Sequence, residues 1–161
     1  MIIHGDQDFQ EKAMRDLSRM DTTPNGQNTI NTIQNGNNNV TIQRGAVNQT
    51  TPNNEADGTA AGKPTSNPAV PGTGNGTGST IEYNPDREPP TAADPTVRRP
   101  ADVALNHEAS HAGHMTTGAM DGSPDPANPN NPDIEETNTI NEDNAYRRDR
   151  GIPPRADHTV L

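Results

Sequence analysis

The first twenty residues carry apolar side chains at near-helical spacing, with polar residues between them. The apolar positions of this pattern are Phe9, Met14 (or Ala13), Leu17 and Met20. Their period predicts an amphipathic helix over residues 5–20. Asp6 is suited to cap its N-terminus, and acidic residues precede basic ones, as the helix dipole favours. The turn-forming sequence TTPNGQ is expected to end the helix.

A different pattern follows, in which β-branched residues flank an asparagine-rich turn. The residues are Ile30, Ile33, Val40 and Ile42, and the sequence NGNNN lies between the two pairs. β-Branched residues on either side of Asn-Gly are typical of a hairpin. The sequence therefore predicts a small β-hairpin here, with a disordered asparagine-rich tract as the alternative.

Residues 46–78 have low complexity and the composition of a linker, so we expect no regular structure there. The glycines of GTGNGTG do not form a phosphate-binding loop, because both the GxGxxG spacing and a following Lys-Ser or Lys-Thr are missing. Residues 79–86 predict one short strand, with Ile81 and Tyr83 on the same face and Pro85 at its end.

Two further helices are predicted in the second half of the chain. Residues 101–117 follow Pro100, which suits a helix start, and contain the helix formers Ala, Leu, Glu and Met. A last helix is expected to begin near Asp133 or Asp143 and to end before GIPP, where Gly151 is a C-cap candidate.

Composition limits the size of the core. Hydrophobic residues make up 26% and aromatic residues 2% of the 161 residues, against about 45–50% apolar residues in typical domains. We therefore expect one small α+β domain over residues 1–161, with long irregular loops and with 46–78 as a linker-like insertion.

Charge and residue usage exclude several partners. The formal net charge of −10 opposes binding to nucleic-acid phosphates, which need clustered Lys and Arg. The chain has no cysteine, so any metal ligands must be His, Asp or Glu. No apolar run approaches the roughly 18 residues of a membrane-spanning helix. The N-terminus lacks the plan of a secretory signal, so any export is expected to use another route.

The sequence HEASH, residues 107–111, carries the main candidate chemistry. In a helix, His107 and His111 are four residues apart and project from the same face. This spacing lets two imidazole nitrogens bind one Zn²⁺ ion, while Glu108 lies one step around, where it can act on a metal-bound water. HExxH is the arrangement of zinc metalloproteases. The opposite face, with Ala101, Leu105, Ala109 and Ala112, is expected to pack inward.

A catalytic zinc site needs a third protein ligand. Glu135 and Glu136 are the better candidates, because a carboxylate on a second helix crossing the first is a common way to complete a His₂Glu site. Both could instead be ordinary N-terminal charges of that helix. Asp121 is a weaker candidate, and His114 is expected to lie beside the site or on the surface. An ordinary polar helix, or metal binding without catalysis, are the alternatives for the whole motif.

Several blocks of the chain resemble a known family. HEASHAGHMTTG followed by EETNTI looks like the zinc-site pattern of clostridial neurotoxin light chains. The chain as a whole is similar to the NleD-like effector metallopeptidases of bacterial secretion systems. The similarity is carried by GDQDFQEKAMRDLSRMDTTPNGQ, GTGSTIEYNPD, LNHEASHAGHMTTG and EETNTINEDNAYRRDRGIPPR, and it covers most of the chain outside residues 46–74.

The resemblance implies a zincin-like fold and a zinc-dependent endopeptidase. It implies His107, His111 and Glu136 as zinc ligands, Glu108 as the general base, and Glu135 beside the ligands. Within the tail EDNAYRRDRGIPPR, Tyr146 or an arginine is expected to stabilise the oxyanion of the tetrahedral intermediate. The tail also contains Asn144, Arg147 and Arg155.

The same resemblance implies delivery by a bacterial secretion system, as an effector or toxin, and a protein substrate inside a target or host cell. By analogy with other zincins, a substrate-binding β edge is expected near Ile81–Tyr83. The alternative is an inactive or weakly folded interaction protein that binds zinc or carries HExxH by chance. The sequence leaves the substrate, its cleavage site and the oligomeric state open.

Overall fold

The computed structural model describes residues 1–91 and 94–157. In the described residues, five helices pack with one mixed sheet of four strands, which confirms the α+β class. In chain order the elements are β1 (Ile2–His4), α1 (Gln7–Asp21), α2 (Pro24–Asn35), β2 (Val40–Arg44), β3 (Gln49–Pro52), α3 (Glu55–Gly58), β4 (Ser79–Tyr83), α4 (Ala101–Thr117) and α5 (Ile134–Asp149).

The four strands form one mixed sheet in the order β1-β2-β4-β3. β1, β2 and β4 run parallel, and β3 lies antiparallel to β4 at one edge. Side chains alternate along β2 and β4, so that Val40 and Ile42 on one strand, and Ile81 and Tyr83 on the next, are fully buried. This confirms the strand predicted over residues 79–86 and the shared face of Ile81 and Tyr83.

The first helix forms as predicted, but the hairpin prediction is wrong. Asp6 caps α1 by accepting a hydrogen bond from the backbone N–H of Phe9, at 2.9 Å. Ile30 and Ile33 lie on α2, and of the four β-branched residues only Val40 and Ile42 are in a strand. The sequence Thr-Pro-Asn-Gly starts α2 instead of continuing as a turn, because the Thr23 hydroxyl caps the helix and proline is favoured in its first turn. NGNNN therefore connects a helix to a strand.

Residues 46–78 are also more structured than their composition suggests, since they contain β3 and α3. The glycine-rich part is held by backbone hydrogen bonds to distant residues. Gly74 N donates to Thr59 O at 2.8 Å, Gly76 N donates to Asp57 O at 2.7 Å, and Thr77 N donates to Met115 O at 2.8 Å. These backbone hydrogen bonds, with few apolar side chains, keep the segment in place.

α4 lies at the centre of the domain, between the sheet and the helices α2 and α5. Only His111, His114 and Thr117 of this helix are not fully buried. The apolar positions expected to face inward are buried, but so is most of the other side. α4 is therefore a central helix that is buried on more sides than the one face expected to pack inward. It ends at Gly118, whose φ of 66° is the left-handed conformation favoured at helix ends.

α5 crosses α4 and has the predicted boundaries. Asp133 caps it by accepting a hydrogen bond from Glu136 N at 2.8 Å, which settles the start at Asp133 and not at Asp143. Gly151, with φ of 65°, follows the last turn. Within residues 1–91 and 94–157, no helix is long and apolar enough to cross a membrane.

Buried polar pairs supplement the small apolar core. The Tyr83 hydroxyl donates to Asp16 Oδ2 at 2.7 Å, and the Tyr146 hydroxyl donates to Asp102 Oδ2 at 2.6 Å. All four side chains are fully buried. Because buried polar groups are costly unless they are hydrogen-bonded, these pairs fix how α1, β4, α4 and α5 pack.

Candidate metal centre

Two helices bring three side chains together beside the sheet. His107 and His111 lie one turn apart on α4, with ring centroids 4.9 Å apart and ring planes at 87°. Glu136, in the first turn of α5, points between them. Its Oε1 is 3.5 Å from His107 Nε2, and its Oε2 is 3.3 Å from His111 Nε2. The structure thus gathers the three residues expected to be metal ligands.

The three side chains are suited to one metal ion. One ligand atom from each lies within 4.8 Å of the others. His107 and Glu136 are buried, and His111 is partly exposed. Two imidazole nitrogens and one carboxylate are the donor set of a catalytic His₂Glu zinc site. Both Nε2 atoms face the same carboxylate, so a single ion is the arrangement that the geometry fits.

Glu135 has a different place from Glu136. Its Oε1 lies 2.8 Å from His111 Nδ1 and 2.7 Å from His114 Nδ1, and it accepts a hydrogen bond from the Thr139 hydroxyl. A carboxylate at Nδ1 places the proton there and leaves Nε2 as the metal-binding nitrogen. Glu135 therefore orients His111, and Glu136 completes the cluster.

The acid–histidine contacts shift the pKa values of this group. Burial lowers the pKa of His111, but hydrogen bonds to Glu135 and Glu136 outweigh burial, and the net result is a pKa raised to about 10. For the acid Glu135 the directions are reversed. Burial raises its pKa, but hydrogen bonds from His111 and His114 outweigh burial and lower the pKa to about 2. In the metal-free chain these residues are therefore ion pairs at neutral pH.

His114 and Asp121 lie outside the cluster. His114 bridges Glu135 and Glu142, with its Nε2 3.1 Å from Glu142 Oε1. These carboxylates raise the pKa of His114 to about 9 against the opposing effect of burial. Asp121 instead forms an ion pair with Lys63 at 2.8 Å. Neither residue supplies a ligand atom to the cluster.

Glu108 lies next to the cluster and is 7% exposed. The Thr50 hydroxyl of β3 is 2.9 Å from its Oε2 and also 2.9 Å from its backbone carbonyl oxygen. Burial raises the pKa of Glu108, although the nearby His111 and the Thr50 hydroxyl act in the opposite direction. A carboxyl group with a raised pKa is better suited to taking up and releasing a proton near neutral pH.

An open cleft of about 300 Å³ runs between β3 and the cluster. We call it the β3 cleft, and its walls include Gln49, Thr50, Glu108 and Glu136. The β edge beside the site is thus β3. The expected edge at Ile81–Tyr83 is wrong, because β4 is paired on both sides, with β2 and with β3.

Tyr146 does not face the β3 cleft. Its side chain is fully buried and its hydroxyl is held by Asp102; burial, followed by this hydrogen bond, raises the pKa of the phenol. The geometry of α5 explains why Tyr146 is remote from the β3 cleft although Glu136, on the same helix, lines it. Ten residues beyond Glu136, Tyr146 lies about 15 Å further along α5 and roughly 80° around it.

Among the tail residues, Arg155 is the one near the cluster. Its Nη2 is 3.5 Å from Glu136 Oε1. The Asn144 side chain binds both backbone groups of Arg155. Its Nδ2 donates to Arg155 O, and its Oδ1 accepts from Arg155 N, each at 2.8 Å. Arg147 is buried and pairs with Asp143 at 2.8 Å.

Sequence reasoning missed two residues beside the cluster, Thr50 and Arg99. Thr50 lies in the segment that looked like a linker, and its role depends on β3 pairing with β4. Arg99 precedes α4 by two residues and lines a cavity with His107 and Glu108. Nothing in the local sequence distinguishes either residue from its neighbours.

The fold and the cluster define the class: a small α+β protein with a candidate His₂Glu metal centre on two crossing helices. A model of the Peptidase_M91 family, described as "Effector protein", matches residues 1–127. The chain therefore belongs to this NleD-like effector family. Its membership supports a peptidase function of the effector type.

The match ends before α5, so Glu135 and Glu136 lie beyond the matched residues. No curated protein and no solved structure matches the chain significantly. The placement of Glu136 beside the two histidines therefore comes from the fold of this chain.

Proposed function

We propose that this protein is a zinc-dependent endopeptidase, delivered as a secreted effector or toxin, that cleaves a protein of a target cell. The observation that carries the proposal is the convergence of His107, His111 and Glu136, with Glu108 adjoining them on the wall of an open cleft. Membership in an effector peptidase family supports both the peptide substrate and the delivery.

His107 and His111 would hold the metal through their Nε2 atoms, and Glu136 through its carboxylate. Nitrogen and oxygen ligands without a thiolate suit Zn²⁺ in a hydrolytic site. When bound, Zn²⁺ supplies Lewis acidity, which polarises a carbonyl group and lowers the pKa of a coordinated water. Glu135 keeps His111 in the tautomer that this binding requires.

Glu108 is the general base in this proposal. Its carboxylate accepts a proton from the attacking water and passes it to the leaving amine. The Thr50 hydroxyl fixes the carboxylate at Oε2, so the group is held in one orientation before the substrate arrives.

Arg155 is the better candidate for stabilising the negative charge of the transition state. Its guanidinium lies within 3.5 Å of Glu136, whereas the Tyr146 hydroxyl, which the sequence suggested for this role, is held by Asp102. A permanently charged group near the site of a developing oxyanion contributes through electrostatic preorganisation.

The substrate would bind as an extended strand along β3. In the described part of the chain, this strand pairs with β4 alone, and it lines the β3 cleft beside Glu108. An edge strand offers backbone groups to an extended peptide, and side chains of the peptide then alternate toward and away from the cleft.

The test compares zinc-loaded wild type with Glu108→Gln on a proteome-derived peptide library, with new N-termini identified by mass spectrometry. We expect cleavage by the wild type and a loss of about 10²- to 10⁴-fold in the variant, with zinc content unchanged. Equal cleavage by both proteins would disprove the mechanism. Zinc binding without any cleavage by the wild type would instead indicate an inactive binding module.

A further inference from the structure

A second opening adjoins the β3 cleft and shares His107 and Glu108 with it. This arginine cavity, of about 210 Å³, is lined by His107 and Glu108 of the site and by Arg87, Arg99 and Arg155. Three arginines around one cavity are unusual in a chain whose formal net charge is −10. The cavity therefore concentrates positive charge next to the proposed base.

Arg99 is the central residue of the cavity. It is only 5% exposed, and its Nε has no hydrogen-bond partner among the described residues. Within residues 1–91 and 94–157 its guanidinium forms neither an ion pair nor a side-chain hydrogen bond. Burying a charged group without a partner is costly. A buried, unpaired arginine that lines an open cavity is therefore suited to binding an anion.

The charges around Arg99 do not neutralise it. Burial lowers the pKa of Arg99 to about 10, and the nearby Arg147, Arg155 and Arg87 act in the same direction. The carboxylate that opposes this shift is Asp143, which is already bonded to Arg147 at 2.8 Å. Glu108 adds one negative charge at the cavity wall, beside Arg155 and Arg99.

We propose that the arginine cavity is a substrate subsite that takes an anionic side chain, next to the scissile bond, through Arg99. The proposal rests on the peptidase function proposed above and adds the class of substrate. A carboxylate fits because the guanidinium offers parallel N–H donors that match its two oxygens. Arg87, which is exposed at the rim of the cavity, would draw the same group in.

The position of the cavity limits where that side chain can be. His107 and Glu108 line both the arginine cavity and the β3 cleft. A peptide lying along β3 therefore passes both openings, and only side chains close to the cleaved bond reach Arg99. The expected preference is for Asp or Glu within about two residues of the scissile bond, at the roughly 3.3 Å rise per residue of an extended chain.

The first test uses the wild-type protein alone. The cleavage sites from the peptide library are scanned for Asp and Glu at each position around the cut. Matched peptides with Glu, Gln or phosphoserine at the enriched position are then compared. We expect kcat/KM to be roughly 10- to 100-fold higher for Glu than for Gln. Preference for phosphoserine over Glu would assign the site to phosphorylated substrates, and equal rates for all three peptides would overturn the proposal.

The second test uses variants. In Arg99→Gln the ratio of kcat/KM for the Glu and Gln peptides should fall to about one, and Arg99→Lys should retain part of it. Arg98→Gln is the matched control, because Arg98 is the exposed neighbour and should keep the full ratio. If Arg99→Gln fails to fold by circular dichroism, Arg87→Gln provides the test, since loss of an exposed rim charge should still lower the ratio.

A binding measurement separates this proposal from the peptidase function. Fluorescence anisotropy of the labelled Glu and Gln peptides with zinc-loaded Glu108→Gln needs no cleavage. The Glu peptide should bind more tightly than the Gln peptide, and this difference should disappear in the double variant that also carries Arg99→Gln. That result would support the subsite even if the wild type cleaved nothing. Cleavage by the wild type with equal binding of both peptides would keep the function and remove the subsite.

Discussion

The Thr50 hydroxyl lies 2.9 Å from two atoms of Glu108, its backbone carbonyl oxygen and its carboxylate Oε2. The single hydroxyl proton of this edge-strand side chain is thus shared between the backbone and the functional group of the proposed base. This contact ties the sheet to α4 at the point where a peptide along β3 would meet the reacting groups.

Thr50→Val should therefore lower cleavage while leaving the metal in place. The substitution keeps the shape of the side chain but removes the donor to Glu108, so the carboxylate is no longer held in one orientation. We expect kcat to fall by roughly tenfold, the equivalent of one charge-assisted hydrogen bond. Thr50→Ser, which keeps the hydroxyl, is the matched control. A loss of the same size in both variants would contradict this role.

His107→Ala should abolish metal binding. The variant removes one of three ligands, and mass spectrometry of the purified protein is expected to find about one zinc per chain in the wild type and none in the variant. His4→Ala, at an exposed histidine of β1, should keep the full amount. Because the ligands come from two helices, removing zinc with EDTA should also lower the Tm of the wild type. Zinc retained by His107→Ala would place the site elsewhere.

The metal-free protein should lose stability as the pH rises above neutral. The pKa values of His111 and His114 are raised from 6.5 to about 10 and about 9, so the folded chain holds protons that the unfolded chain releases. Their contribution is complete below pH 6.5 and is lost as the pH passes 9 and then 10. The Tm of EDTA-treated protein should fall over this window, and less steeply in His114→Ala. A constant Tm would show that these ion pairs do not form.

Tyr146→Phe should affect folding and leave the chemistry unchanged. The variant removes the hydrogen bond to the buried Asp102, whose Oδ2 would keep Arg150 Nη1, at 3.3 Å, as its partner among the described residues. The free energy of unfolding should fall by about 1–3 kcal/mol. Tyr83→Phe, which breaks the similar bond to Asp16, should have a smaller effect, because Asp16 Oδ2 keeps a hydrogen bond from Arg15 Nη2 at 2.9 Å. Reduced kcat with unchanged stability would return Tyr146 to the catalytic role suggested by the sequence.

The sequence predicted the parts of the site that depend on local spacing. The interval between His107 and His111 sets their common face in any helix, and the Asp133 cap places Glu136 in the first turn of α5. The hairpin prediction failed because it gave more weight to the β-branched side chains and Asn-Gly than to the spacing of Ile30 and Ile33. Residues three apart share one face of a helix but lie on opposite faces of a strand. The Thr23 cap and Pro24 decide between them.

Long-range contacts account for the remaining differences. The strand β3 exists because it pairs with β4. The paired residues are 33 positions apart at one end (Gln49 with Glu82) and 27 at the other (Pro52 with Ser79). The glycine-rich stretch is held by partners such as Met115 of α4. Such partners are set by the whole fold, so composition alone predicted a linker where the structure has an edge strand beside the site.

The burial of α4 on nearly all sides has a steric consequence. The residues between and behind the histidines are Ala109, Ser110, Ala112 and Gly113. A Cβ added at Gly113 would lie 3.1 Å from Thr32 Cγ2 of α2. Side-chain volume, more than hydrophobicity, thus sets how near α4 can come to its neighbours. A bulkier residue at Gly113 would press α4 away from α2, so the small residues act as spacers that set the position of the helix carrying both histidines.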